Sequence, residues 1–234
     1  MKFKLPLIAV VAIACYIQAC KKSSAPVHTP VDYQLILRPD ASTGQDSYVS
    51  KRDNDPSDGN TNLNFANELV LARVTQSGGD SFTCHGYLRF DSLVKVPAKA
   101  TVTSAMLYLY GEGTDSSASI PYGDSYPNAY NLSNDGWLQM VTGGTWDQKT
   151  ITFNNAPAAT TAGEVAIPPS TQSWNFNVSL DVTGMVKQQV ANPGTNFGFM
   201  LKLQVENIHR SMEFAASECP DSLERPKLVV NYSY

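Results

Sequence analysis

Five carboxylates crowd the first part of the chain: Asp40, Asp46, Asp53, Asp55 and Asp58. Asp53-Asn54-Asp55-Pro56-Ser57 begins like a calcium loop, because a hard cation collects oxygen ligands from alternate positions. Gly59 stands one place late for that loop, and Asn64 sits where a bidentate Glu is wanted, so this is no EF-hand. One expectation is a structural calcium near a strand end. The other is ordinary turn chemistry, which Asp and Asn favour on their own account. A second cluster is aromatic. In Pro121-Tyr122-Gly123-Asp124-Ser125-Tyr126-Pro127-Asn128-Ala129-Tyr130, three tyrosines recur with Asp124 and Asn128 between them, and Trp137 follows. Sugar recognition sets aromatic faces against the apolar side of the ring and uses a few polar groups to fix orientation. Tyr122, Tyr126, Tyr130 and Trp137 either display their rings to a glycan or fold down as a cap on a sheet edge.

Catalytic signatures are sparse. The three histidines, His28, His85 and His209, show neither an HExxH spacing nor a Cys-His zinc pattern. Gly79-Asp80-Ser81 and Gly123-Asp124-Ser125 spell the GDS of some esterases, but neither His85 nor His209 has an Asp three places before it, and no strand–turn–helix setting surrounds the serines. Both strings read as turns. Paired carboxylates for glycosidic cleavage are compatible with the sequence, yet no pair stands out. Of the four cysteines, Cys84 and Cys219 lie in or beside strand-like runs. In an oxidising compartment they could form one disulfide; otherwise they are two separate buried thiols.

The chain has 234 residues, a net charge of −4 and only 16% charged residues. A mildly acidic chain without basic clusters argues against nucleic-acid binding. Lys2 and Lys4 precede an apolar run from Leu5 to Ile17. That run is shorter than the ~20 residues needed to span a bilayer and suits a cleaved secretion signal. Ile17-Gln18-Ala19-Cys20 resembles a bacterial lipobox, which implies cleavage before Cys20 and a diacylglycerol on its sulfur. The expected organisation is a lipoprotein signal peptide over 1–19, the lipidated Cys20 with a flexible polar linker over 20–31, and one domain over 32–234. The expected place is the cell envelope, at the outer membrane. Lys21-Lys22-Ser23-Ser24 lacks the early acidic residues that resemble a surface-export signal, which favours the periplasmic face.

Beyond the linker, short β-like runs recur at the spacing of a sandwich. They are Tyr33–Leu37, Ser47–Ser50, Glu68–Val74, Gly86–Phe90, Val102–Tyr110, Gly136–Val141, Thr150–Phe153, Trp174–Val182, Phe197–Val205, Met212–Ala215 and Lys227–Tyr232. In the fifth, Ala105, Leu107 and Leu109 share one face, with Met106, Tyr108 and Tyr110 opposite. One helix is expected near 182–191, where Val182, Val186 and Val190 fall at i, i+4 and i+8, with Asp181 or Thr183 as cap and Asn192-Pro193-Gly194 as stop.

The stretch Gly86-Tyr87-Leu88-Arg89-Phe90-Asp91 through Val96-Pro97-Ala98-Lys99-Ala100-Thr101-Val102-Thr103-Ser104-Ala105-Met106-Leu107-Tyr108-Leu109-Tyr110 resembles the "LLRFDLSSIPAGATVTSATLRLY" segment of the DNRLRE-domain family, which is related to disaggregatase modules and grouped with carbohydrate-binding modules. Further matches keep the family's order. Asp46-Ser47-Tyr48-Val49 resembles "DAYV", and Trp146 to Pro157 resembles "W-x-E-x-T-V-T-W-N-N-x-P". Asp181-Val182-Thr183, Asn196-Phe197-Gly198-Phe199 and Arg225 to Tyr232 resemble "DVT", "NYGF" and "RPKLVVTY". Gln148 and Phe153 depart from it, standing where the family often has Glu and Trp. The resemblance covers 33–234 and implies a single antiparallel β-sandwich of jelly-roll type, an all-β fold found as an extracellular accessory module. Trp146 and Trp174 read as core rather than as ligand platforms.

The function expected from the sequence is therefore non-catalytic binding of a polysaccharide or other glycan by a lipid-anchored envelope protein, with calcium as the one candidate cofactor. A structural or adhesive protein with a protein partner, and a glycan-cleaving enzyme, are the alternatives.

Overall fold

Alternation in the sequence becomes two layers in space. The computed structural model describes residues 29–40, 42–63, 68–75, 79–111, 133–172, 176–207 and 209–234, of which Val31–Tyr234 belong to one unit. The strands in chain order are β1 (Asp32–Leu37), β2 (Gln45–Arg52), β3 (Glu68–Thr75), β4 (Ser81–Arg89), β5 (Thr101–Leu109) and β6 (Gly136–Val141). They continue with β7 (Ala159–Ile167), β8 (Val178–Asp181), β9 (Phe199–Leu203), β10 (Arg210–Ala215) and β11 (Lys227–Ser233), and helix α1 (Thr183–Ala191) lies between β8 and β9. A four-stranded sheet runs β1-β11-β5-β8, and a seven-stranded sheet runs β10-β3-β4-β9-β6-β7 with β2 joined to β4. All pairings are antiparallel. The chain is an all-β sandwich with one helix.

The core lies between the sheets. Ala105, Leu107, Leu109, Leu180, Leu228 and Val230 from the small sheet meet Leu69, Leu71, Leu88, Leu138, Phe199, Leu201 and Phe214 from the large one. Each is removed from water, which supplies the main driving force for the fold. In β5 the register against β11 slips between Asn231 and Tyr232, and this returns Val102 to the buried side. The valine stripe of α1 is as expected: Val182, Val186 and Val190 are buried in the same core. The Thr183 N–H donates to Asp181 Oδ1 at 2.9 Å, while the Thr183 hydroxyl accepts the Ala105 N–H at 2.8 Å and so pins the helix to β5.

Two elements differ from the sequence reading. Residues Thr150–Phe153 form turns, not a strand. The backbone groups that a strand would pair are taken by side chains instead. Asp147 Oδ1 accepts the Lys149 N–H, Asn155 Oδ1 accepts the Thr152 N–H, and Asn62 Nδ2 donates to the carbonyls of Gln148 and Ile151. Conversely, Ala159–Ile167 is a strand that no apolar alternation announces. It is rich in small residues, carries Gly163 at φ 74°, and pairs with β6 across an irregularity between Leu138 and Met140. It borders the sheet and stays largely exposed, so nothing selects for buried alternation there.

Candidate functional site

The large sheet has a core-facing side and an outer side, and the outer side is only partly covered. On β6, Gly136 and Leu138 face inward and Trp137 and Gln139 face outward; on β9, Leu201 is inward and Met200 and Lys202 outward. Val49, Tyr87, Val141, Trp146, Ile151 and Met200 form a second apolar cluster on this outer side. The turns of 142–158 supply its lid. The indole N–H of Trp146 donates to the Phe197 carbonyl at 2.8 Å, its ring meets Tyr87 edge-on at 5.8 Å, and the Arg89 guanidinium lies over it at 5.4 Å. Trp146 is thus core, as expected. Burial pushes the Tyr87 phenol up to about 12.

Beside this lid a partly exposed polar row crosses the sheet. Trp137 pairs with Lys202 on β9. Lys202 Nζ lies 3.2 Å from Glu206 Oε1, and His85 Nε2 on β4 lies 2.6 Å from the same oxygen. The His85 ring sits 5.3 Å from that of Phe153, and Lys51 Nζ lies 5.9 Å from the centre of the Phe153 ring. Behind Trp137, Gln139 Nε2 donates to Glu164 Oε2 at 2.6 Å. Trp137 is half-buried, and among the described residues it has neither a hydrogen-bond partner for its indole N–H nor an aromatic or cationic neighbour on its ring. An indole whose ring and donor have no partner among the described residues, set among amide, carboxylate and ammonium groups, has the chemistry that holds a sugar ring.

Glu206 is held down to about 2, chiefly by the hydrogen bond from His85 and further by Lys202. A carboxylate with a depressed pKa contributes stability that is present above its ordinary value, 4.5, and is lost as pH falls toward about 2. The difference in thermal midpoint between the protein and its Glu206→Gln variant is expected to shrink as pH drops from about 5 through that window. A difference that does not change with pH down to 2.5 would show that the pair contributes nothing.

The small sheet carries aromatic residues too, but each has a ring or a cation against one face. Lys227 Nζ sits 4.1 Å from the Tyr108 ring centre and Arg38 Cζ 5.5 Å from that of Tyr110, while Tyr33 and Tyr232 stack on each other at 5.4 Å.

The structure disperses the five carboxylates expected to hold calcium. Asp40 closes its own turn, accepting from the Ser42 hydroxyl and amide and from Thr43, which holds it down to about 2. Asp53 pairs with Arg73 through both oxygens, and that hydrogen bonding holds it below the usual carboxylate range. Asp55 accepts from the Ser57 hydroxyl and amide and is lowered likewise. Asp58 lies 3.7 Å from Arg52. Only Asp46 is buried; burial first, then the neighbouring Glu218, raises it well above the ordinary value. Among the described residues no three His, Cys, Asp or Glu side chains gather as a metal site. Cys84 and Cys219 are both buried and no disulfide joins them, and burial pushes Cys84 up to about 12.

Of the aromatic cluster, Trp137 falls on the partly exposed row. Tyr122, Asp124, Tyr126, Asn128 and Tyr130, like Cys20 and Trp174, lie outside the described residues. The sequence reading missed Lys202, His85, Glu206, Gln139 and Glu164. The one available signal was Lys202 interrupting an apolar strand, which marks a face that is not buried.

None of the curated proteins compared with the chain matches it. The family comparison reaches across nearly the whole described sandwich: residues 40–232 match the model for carbohydrate-binding module family 96, and the chain belongs to that family.

Proposed function

We propose that this protein is a non-catalytic glycan-binding lipoprotein of the DNRLRE type, which holds a polysaccharide on the outer face of its larger sheet. Membership of a carbohydrate-binding module family supports the class of ligand. The observation that carries the location is Trp137, an indole whose ring and N–H have no partner among the described residues, beside Lys202, Gln139 and Glu164. An open face of this kind suits a chain polymer, which lies along a surface, better than a small molecule, which needs enclosure. The test is retention of the protein on a panel of acidic and neutral polysaccharides. Retention on one glycan class supports the reading; no retention on any member sinks it and leaves the structural or protein-partner reading. Release of shortened products from a bound polymer would sink the non-catalytic part alone.

The anchored, envelope-facing part of the proposal rests on the N-terminal residues. Lys2, Lys4, the Leu5–Ile17 run and Cys20 support signal cleavage and lipid attachment. Mass spectrometry of the mature N-terminus is expected to find a diacylglyceryl group on Cys20, and Cys20→Ser is expected to move the protein out of the membrane fraction. An unmodified N-terminus elsewhere would overturn the anchor. The periplasmic orientation is read from Lys21-Lys22-Ser23-Ser24 and is tested by protease shaving of intact cells.

A further inference from the structure

At the start of β2 a buried acid meets a second acid instead of a base. Asp46 is 2% exposed. Its Oδ2 accepts the Ser217 N–H at 2.9 Å, and among the described residues its Oδ1 has no hydrogen-bond donor. The carboxylate of Glu218 lies against it. Glu218 Oε1 accepts from Gln148 Nε2 at 3.2 Å, and Oε2 accepts from the Ser217 hydroxyl at 3.1 Å. Gln148 is buried as well; its Oε1 accepts the Asp46 N–H at 3.3 Å, and Gln45 Oε1 accepts the Gln148 N–H at 3.2 Å. Three segments distant in sequence thus meet around Asp46: the start of β2, the turn that carries Gln148 and the Ser217–Glu218 turn. Among the described residues neither carboxylate forms an ion pair. A carboxyl oxygen buried without a partner is costly, and the second carboxylate beside it adds like charge rather than a counter-charge.

We propose that Asp46, Glu218 and the side-chain oxygen of Gln148 form a site for a hard divalent cation, calcium in preference to magnesium. The ligands are all oxygens, mixed between charged and neutral; Asp46 comes from the start of β2, and Gln148 and Glu218 come from turns. Calcium accepts such irregular sets of six to eight oxygens, whereas magnesium demands near-octahedral geometry and keeps its waters. The site differs from the five-aspartate loop expected from sequence: it keeps Asp46 and releases the other four. It also has a structural consequence. Gln148 belongs to the 142–158 turns that cover half of the outer face, so a cation here ties that lid to β2 and to the Ser217–Glu218 turn.

The test strips the purified protein with EDTA, then titrates it with calcium and separately with magnesium, by calorimetry and by thermal melting. One calcium per chain is expected, with a midpoint raised by roughly 5–10 °C at about 100-fold Kd. Asp46→Asn and Glu218→Gln are each expected to weaken calcium binding at least tenfold. In EDTA, Asp46→Asn is expected to melt no lower than the unmodified protein, since it removes a buried acid that faces a second acid, at nearly constant shape. That comparison separates a lost ligand from a lost fold; if Asp46→Asn does not fold, Glu218→Gln at its half-buried position carries the same test. Absence of a saturable calcium response in the unmodified protein overturns the site, and so does a response that both variants keep.

Discussion

Trp137→Ala is expected to weaken retention on the bound polysaccharide at least tenfold, about 1.4 kcal/mol, with little change in thermal midpoint. The two halves of this expectation have different origins. Binding energy at a recognition surface concentrates in a few aromatic and arginine anchors, and loss of one commonly exceeds that value. Stability is a separate matter, because Trp137 faces away from the inter-sheet core and no hydrogen bond, ring or cation among the described residues depends on it. Trp146→Ala provides the contrast. It removes a buried indole, the hydrogen bond to Phe197 and the edge contact with Tyr87, so it is expected to cost about 3–5 kcal/mol of stability. A Trp137 variant that binds normally would remove the site from this face, whatever the panel shows for the unmodified protein.

Gly198→Ala is expected to be the most damaging single-methyl change in the sandwich. Gly198 has φ 85°, a region that L side chains rarely enter and that costs about 1–3 kcal/mol when forced. The added carbon would also stand 2.3 Å from the Leu88 carbonyl oxygen and 2.9 Å from Arg89 Cβ. Relief by movement is blocked on other sides, since the Gly198 carbonyl accepts the Val141 N–H at 3.0 Å and faces Gln189 Nε2 at 3.4 Å. The sum is a loss of roughly 3 kcal/mol or more, or about 6–12 °C in thermal midpoint. Gly184→Ala is the control: nothing lies within 4 Å of the added carbon, and the change is expected to be neutral or slightly stabilising. A Gly198→Ala protein melting within two degrees of the parent would show that β4 and β9 separate there at little cost.

The sequence spoke clearly wherever a residue's face decided its fate. Leu107 and Leu109 alternate because one side of β5 is core; Val182, Val186 and Val190 step along α1 for the same reason. It was silent where cover comes from far away. Thr150–Phe153 has strand composition, yet Asn62, Asp147 and Asn155 take its backbone groups, and Asn62 is remote in sequence. The binding face was half legible. Trp137 was visible as an aromatic near a polar cluster, but alternation cannot tell which outer faces a loop will cover, so Lys202, His85 and Glu206 were not joined to it. Proximity in sequence misled for the aspartates. Asp53, Asp55 and Asp58 are neighbours along the chain, but each finds its own serine or arginine, while the acid that matters to Asp46 is Glu218, near the other end of the domain.

The pairing of β1 with β11 has a consequence for how this domain can be joined to anything else. The ladder runs from Asp32 opposite Ser233 to Leu37 opposite Leu228, and beyond it Val31 and Tyr234 exchange two backbone hydrogen bonds, each 3.0 Å. Entry and exit are therefore a single point on one edge of the smaller sheet. Such a domain can be spliced into a loop of a host protein, or circularly permuted, with only a short bridge between its ends. Suspended from either end, it presents the Trp137 face on the same side of the same pivot.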